Sequence, residues 1–149
     1  MKACAYLTAL LLGGILTGCT SQHDGGADSV AVQLVATSRN AGRIGQATLS
    51  ARGGQTDLSA FISGVPFGTT LPLRLAAYIY PGTCAQPGAN PAYKLNRTLT
   101  TSRIGAVDGW RLSRSADVTL ATLRATPHAL ILRTAPADGA VDIFCGDIN

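Results

Sequence analysis

The chain has 149 residues, 46% hydrophobic and only 13% charged, which is enough apolar material for one compact core and too little charge for an extended disordered protein. Its formal net charge of +4 comes from 12 Lys and Arg against 8 Asp and Glu, an excess too small and too scattered to argue for a nucleic-acid partner. All the acids are aspartate, and after Lys2 only Lys94 is not arginine among the bases.

At the N-terminus Lys2 precedes an apolar run at residues 5–16 that closes in Leu16-Thr17-Gly18-Cys19. The run is shorter than the roughly 20 residues a helix needs to span a bilayer, so it reads as a secretory signal. LTGC resembles the lipobox of bacterial lipoproteins. That resemblance implies removal of residues 1–18 and a diacylglyceryl group on Cys19, hence a membrane partner through a lipid anchor; the alternative is an ordinary signal peptide with Cys19 incidental. Residues 19–29 are polar, carry Gly25-Gly26, and read as a flexible tether to a domain at 30–149. His23 and Asp24 within the tether read as solvated spacer rather than a metal-binding arm. Thr20 replaces the aspartate that usually signals inner-membrane retention, so the expected location is the bacterial cell envelope, at the outer membrane.

Beyond the tether the dominant period is two. VAVQLVA (30–36), RIGQATLS (43–50), TDLSAFISGV (56–65), LPLRLAAYIY (71–80), HALILR (128–133) and VDIFC (141–145) are short, rich in β-branched or aromatic residues, and separated by turn residues. Gly53-Gly54 suits a tight hairpin that needs positive φ. Only SADVTLATLRA (115–125) reads partly helical, with Ser115 as cap and Leu120 and Leu123 turned inward. Many short strands at hairpin spacing imply an all-β fold, an antiparallel sandwich or barrel with one short helical segment. On the fourth run Leu73, Leu75, Ala77 and Ile79 share one face, and Arg74, Ala76, Tyr78 and Tyr80 share the other.

If Cys4 leaves with the signal and Cys19 carries lipid, Cys84 and Cys145 remain. In an oxidising compartment they are expected to pair, the alternative being two free buried thiols.

PGTC (81–84), FCGDI (144–148), the GVPFG turn (64–68) and HALILR together resemble the copper/zinc superoxide dismutase family, and more closely its divergent bacterial envelope lipoproteins. The likeness covers most of 30–149 and is specific only around Cys84 and Cys145. It implies an antiparallel Greek-key β-barrel of eight strands and a bridge from Cys84 to Cys145. It also places Tyr78 and Tyr80 at the His-x-His copper ligands and Arg133 near the later copper histidine, while residues 85–96, where zinc ligands would lie, contain no histidine. Asp142 stands where the family has its superoxide-guiding arginine. Phenol is a poor substitute for imidazole and a guanidinium offers no lone pair, so these former metal-site positions imply no metal and no cofactor. Tyr78, Tyr80 and Arg133 would instead cluster on the outer surface as a plug for the vacated site or as a recognition patch.

The remaining candidates read as structural. His128 has no second ligand or acid partner and no nucleophile elbow beside it. Asp138, Asp142 and Asp147 match no calcium loop. Trp110 reads as core or loop packing, the alternative being an anchor for a partner, and Arg103, Arg111 and Arg114 as a solvated face rather than an anionic-partner site. The expectation is therefore a non-enzymatic envelope lipoprotein whose domain is structural or binds an envelope protein, glycan or lipid. The alternative is a copper/zinc superoxide dismutase-type metalloenzyme in periplasmic oxidative defence.

Overall fold

A computed structural model of the chain describes residues 28–95, 102–103 and 109–149. The segments expected as a signal at 1–18, a lipid-bearing Cys19 and a tether thereafter lie, up to residue 27, outside the described residues. The strands are β1 (Ser29–Ala36), β2 (Gly45–Arg52), β3 (Gln55–Ile62), β4 (Leu75–Thr83), β5 (Gln86–Pro87), β6 (Tyr93–Lys94), β7 (Ser102–Arg103), β8 (Trp110–Ala116), β9 (His128–Thr134) and β10 (Asp142–Ile148), with one short helix, α1 (Leu120–Ala125).

All the pairings are antiparallel, and the order across the sheet is β5-β4-β9-β10-β1-β2-β3-β8-β7, with β6 also on β4. β1, β2 and β3 form a meander. The β2–β3 hairpin closes from Arg52 to Gln55 around Gly53-Gly54, with Gly53 at φ 59°. Neighbours distant in sequence, β3 with β8 and β4 with β9, mark crossovers of the Greek-key type. β6 pairs with β4 on one flank and β7 with β8 on the other. The two flanks are thus each partnered by one end of the same connecting segment, and the sheet curls into a half-barrel.

Alternation puts Leu34, Leu49, Leu58, Leu75, Ile79, Leu130, Leu132 and Phe144 inside, each at most 2% exposed. A fully buried side chain of this size contributes roughly 1.5–3 kcal/mol. α1 lies beside the β2–β3 hairpin end, where Thr56 Oγ1 donates to Val118 O at 2.7 Å, and it adds the buried Leu120 and Leu123 to the core. β1 and β10 approach closely because residue 146 is glycine: a Cβ there would lie 2.6 Å from Val32 Cγ1 and 2.7 Å from Gln33 O.

Several sequence boundaries shift. Residues 71–74 precede β4 instead of opening it, since Pro72 has no N–H for a ladder, although Leu73 is still buried. Ser115 belongs to β8, and the cap of α1 is Thr119, whose Oγ1 accepts from Thr122 N at 3.1 Å. β8 is not evident in sequence because Arg111 and Arg114 interrupt its apolar residues, yet Leu112 and Ala116 are buried on one face.

Candidate functional site

The pairing register assembles three rows on the outer face of β4, β9 and β10, because directly opposed residues share a face. Ala76 opposes Arg133 and Arg133 opposes Asp142; Tyr78 opposes Ile131 and Ile131 opposes Cys145; Tyr80 opposes Ala129 and Ala129 opposes Asp147. The opposite side of the same strands carries Leu75, Ala77, Ile79, Leu130 and Leu132 into the core. The outer face is itself largely closed: Ala76, Tyr80, Ala129 and Ile131 are all buried.

Arg133 is the hub of this face. Its Nε donates to Asp142 Oδ1 at 2.5 Å, and its Nη2 donates to Asp142 Oδ2 at 3.2 Å and to the Tyr80 hydroxyl at 3.3 Å. Its Cζ lies 5.1 Å from the centre of the Tyr78 ring, and the rings of Tyr78 and Tyr80 meet edge to face with centroids 6.3 Å apart. The guanidinium therefore has a carboxylate on one side, a phenol face on another and a phenol oxygen beyond it. The hydrogen bonds that Arg133 donates to Asp142 raise its pKa, burial opposes that shift more weakly, and the attraction to Asp142 adds to it. The side chain stays charged. Tyr78, Tyr80 and Arg133 thus come together, with Asp142 as a fourth member.

No family model, curated protein or solved structure matches the chain.

The Cys84–Cys145 disulfide lies at the margin of the same face, with a Cα separation of 5.8 Å and a sequence separation of 61. Asp147 Oδ1 accepts from Cys84 N at 2.6 Å beside it, so the segment after β4 is held to β10 by a covalent and a hydrogen bond together.

The donor set does not suit copper or zinc. Around Arg133 there are two phenols, one carboxylate and the guanidinium itself, a fixed cation without a lone pair that would repel a metal ion. Among the described residues no three His, Cys, Asp or Glu side chains are grouped so as to hold one.

The other candidates are dispersed. His128 opens β9, is 8% exposed, and has Nδ1 at 3.0 Å from Leu123 O and 2.9 Å from Thr126 O, which assigns the ring to fastening α1 onto the strand. The three aspartates have separate partners: Asp138 with Thr70 N, Asp142 with Arg133, and Asp147 with Cys84 N. Trp110 packs against the core. Arg111 and Arg114 lie three residues apart on one strand and so face opposite sides. Asp142 and Asp147, which in sequence only fail to match a calcium loop, are both partners within this face. The available signal was opposite charge on two hairpin-linked strands.

Proposed function

We propose that this chain is a lipid-anchored envelope protein whose domain is a superoxide dismutase-like scaffold turned into a metal-free structural or binding module. The observation that carries the reading is the Tyr78–Tyr80–Arg133–Asp142 cluster, which fills the face where the dismutase resemblance puts the copper ligands and supplies an internal cation instead of a bound one. Strand order supports the scaffold assignment: β4 beside β9, β9 beside β10, β10 beside β1, and β3 beside β8, with a disulfide from the segment after β4 to the final strand. The anchor reading rests on LTGC and the apolar run before it.

The cluster serves as a plug. Tyr80 is only 7% exposed, and the Arg133 side chain is 27% exposed, so most of its surface is committed to neighbours within the domain and little is offered to a partner. A vacated ion site would otherwise leave unpaired polar groups or a void, and packed rings around a paired guanidinium remove both.

Metal content and lipidation test the two halves separately. The full chain purified from a bacterial envelope should carry neither copper nor zinc stoichiometrically and should not dismutate superoxide above a heat-denatured control. One tightly held metal ion per chain after dialysis against chelator would restore the metalloenzyme reading. Labelled palmitate should enter the chain and be lost in Cys19→Ser; equal labelling of both would remove the anchor.

A further inference from the structure

Four large apolar side chains are exposed among the described residues: Val35 at 65%, Ile44 at 66%, Phe67 at 108% and Leu71 at 68%. They are not scattered. Val35 is near the end of β1, Ile44 just before β2, and Phe67 and Leu71 in the β3–β4 loop, all toward the same end of the half-barrel. Single exposed apolar residues need no explanation, but a group of them at one apex does.

The loop that carries Phe67 is pinned, not slack. Ser63 N donates to Ile44 O at 2.9 Å, the buried Asn40 Nδ2 to Gly64 O at 3.1 Å, Thr69 Oγ1 to Pro66 O at 2.8 Å, and Thr70 N to Asp138 Oδ1 at 2.9 Å. A framework this well satisfied holds the Phe67 ring exposed at the rim of a shallow depression that Phe67 and Arg39 line together with Thr134, Ala137 and Val141.

The same apex is basic. Arg39 and Arg43 are exposed on the β1–β2 turn and form no ion pair among the described residues. The Arg43 guanidinium lies against Gly64, where a Cβ would come within 2.6 Å of its Nε, which ties the turn to the loop. The nearby acids are already engaged, Asp138 by Thr70 and Asp142 by Arg133.

From exposed Phe67, Leu71 and Ile44 flanked by Arg39 and Arg43, which form no ion pair among the described residues, we infer that this apex is a docking site for an anionic lipid bilayer. The apolar side chains enter the boundary between headgroups and acyl chains, and the arginines pair with lipid phosphates. A bilayer suits a projecting group of this composition because it supplies both an apolar layer and a negative surface. The inference goes beyond the anchor reading and does not need it, but the two are compatible. The tether starts from the opposite end of β1, where Asp28 O accepts from Ala51 N. The nine steps from Cys19 to Asp28 span at most about 30 Å, and β1 is roughly 26 Å long. An anchored domain can therefore turn its apex to the membrane that holds it.

Tryptophan at position 67 reads this contact directly. The full chain is reconstituted on vesicles of phosphatidylglycerol or of phosphatidylcholine, each with brominated acyl chains, and the emission of Phe67→Trp is taken as the difference from the unsubstituted chain. Any N-terminal attachment is common to all samples. In phosphatidylglycerol the emission at 67 should shift to the blue and be quenched, while Thr122→Trp on α1, toward the other end, stays unquenched. Arg39→Ser combined with Arg43→Ser should abolish the quenching at 67. An unshifted, unquenched position 67 on phosphatidylglycerol overturns the inference and leaves a protein partner as the occupant of the apex. Equal quenching in phosphatidylcholine also overturns it, since the arginines would then read no lipid charge.

Discussion

Arg133 and Asp142 oppose each other across the β9–β10 ladder and share two hydrogen bonds, at 2.5 and 3.2 Å. With side chains 27% and 41% exposed, the pair is neither a surface ion pair nor a fully buried one. Asp142→Ala should therefore destabilise the domain by about 1–2 kcal/mol, more than an exposed pair yields because the guanidinium is left partly desolvated and short of an acceptor. Chemical denaturation measures this. The double variant with Arg133→Met should recover part of the loss, since no charge is then stranded.

Tyr80 separates packing from hydrogen bonding. Tyr80→Phe removes only the hydroxyl at 3.3 Å from Arg133 and should cost about 0.5–1 kcal/mol. Tyr80→Ala opens a hole at a position 7% exposed and should cost about 2–4 kcal/mol. If both variants melt like the parent, the cluster is not a plug, and its tyrosines are free for recognition.

The Cys84–Cys145 bridge closes a loop of 61 residues, for which loop-closure entropy amounts to about 4 kcal/mol. Replacing both cysteines with serine should lower stability by about that much, a large part of the roughly 5–15 kcal/mol available to a small domain. The double variant keeps the Cys84 N–H bond to Asp147, so β10 should keep its place, and circular dichroism at low temperature should stay strand-like.

The legible part of this fold was its period of two. β1, β2 and β3 coincide with alternating runs, β9 and β10 fall on short apolar runs without strict alternation, and the Gly53-Gly54 hairpin follows from residue type alone. Tyr78 and Tyr80 were readable as neighbours on one face because i and i+2 side chains point the same way. Asp142 was not, and the reason is a bulge. The register shifts between Asp142 and Phe144, so Ile143 and Phe144 are both fully buried. Counting back by twos from the outward Cys145 would have put Asp142 on the core side. Arg133 acquires its partner through one irregular residue that no periodicity can locate. The cap at Thr119 was missed for a related reason: Ser115 is the better-looking cap in sequence, but β3 claims it as a strand residue by pairing Asp57 with it.

Asp138 makes part of the β3–β4 loop sensitive to acid. Its carboxylate is held below the ordinary value of 3.8, first through its hydrogen bond with Thr70 and also by the nearby Arg74 charge. A depressed folded pKa means that the bond contributes to stability above the unfolded value and is lost as pH falls through the lower folded one. Amide exchange at Thr70 should therefore stay slow down through the ordinary carboxylate value of 3.8 and quicken only as pH falls through the lower folded one. Asp138→Asn should remove that acid step. A carboxyl of Asp138 that titrates by NMR at or above the ordinary value would show that the Thr70 contact is not held in solution.

The cluster also makes a prediction about gain of chemistry. If positions 78, 80 and 133 are former ligand positions, their backbones should still point side chains at a common volume, and the present contacts, a guanidinium 5.1 Å from the Tyr78 ring and 3.3 Å from the Tyr80 oxygen, are consistent with that. Tyr78→His, Tyr80→His and Arg133→His combined would remove the fixed cation and install three imidazoles on β4 and β9, with Asp142 free to orient the third through its ring N–H. The triple variant should bind one copper(II) ion per chain, seen as a new d–d absorption and a rise in melting temperature with added metal. Tyr78→His with Tyr80→His alone should bind far more weakly, because Arg133 still occupies the volume with its positive charge. A triple variant that folds, as judged by circular dichroism, and binds no copper would mean that the three positions never enclosed a metal site, and that the tyrosines and arginine are an original feature of this face.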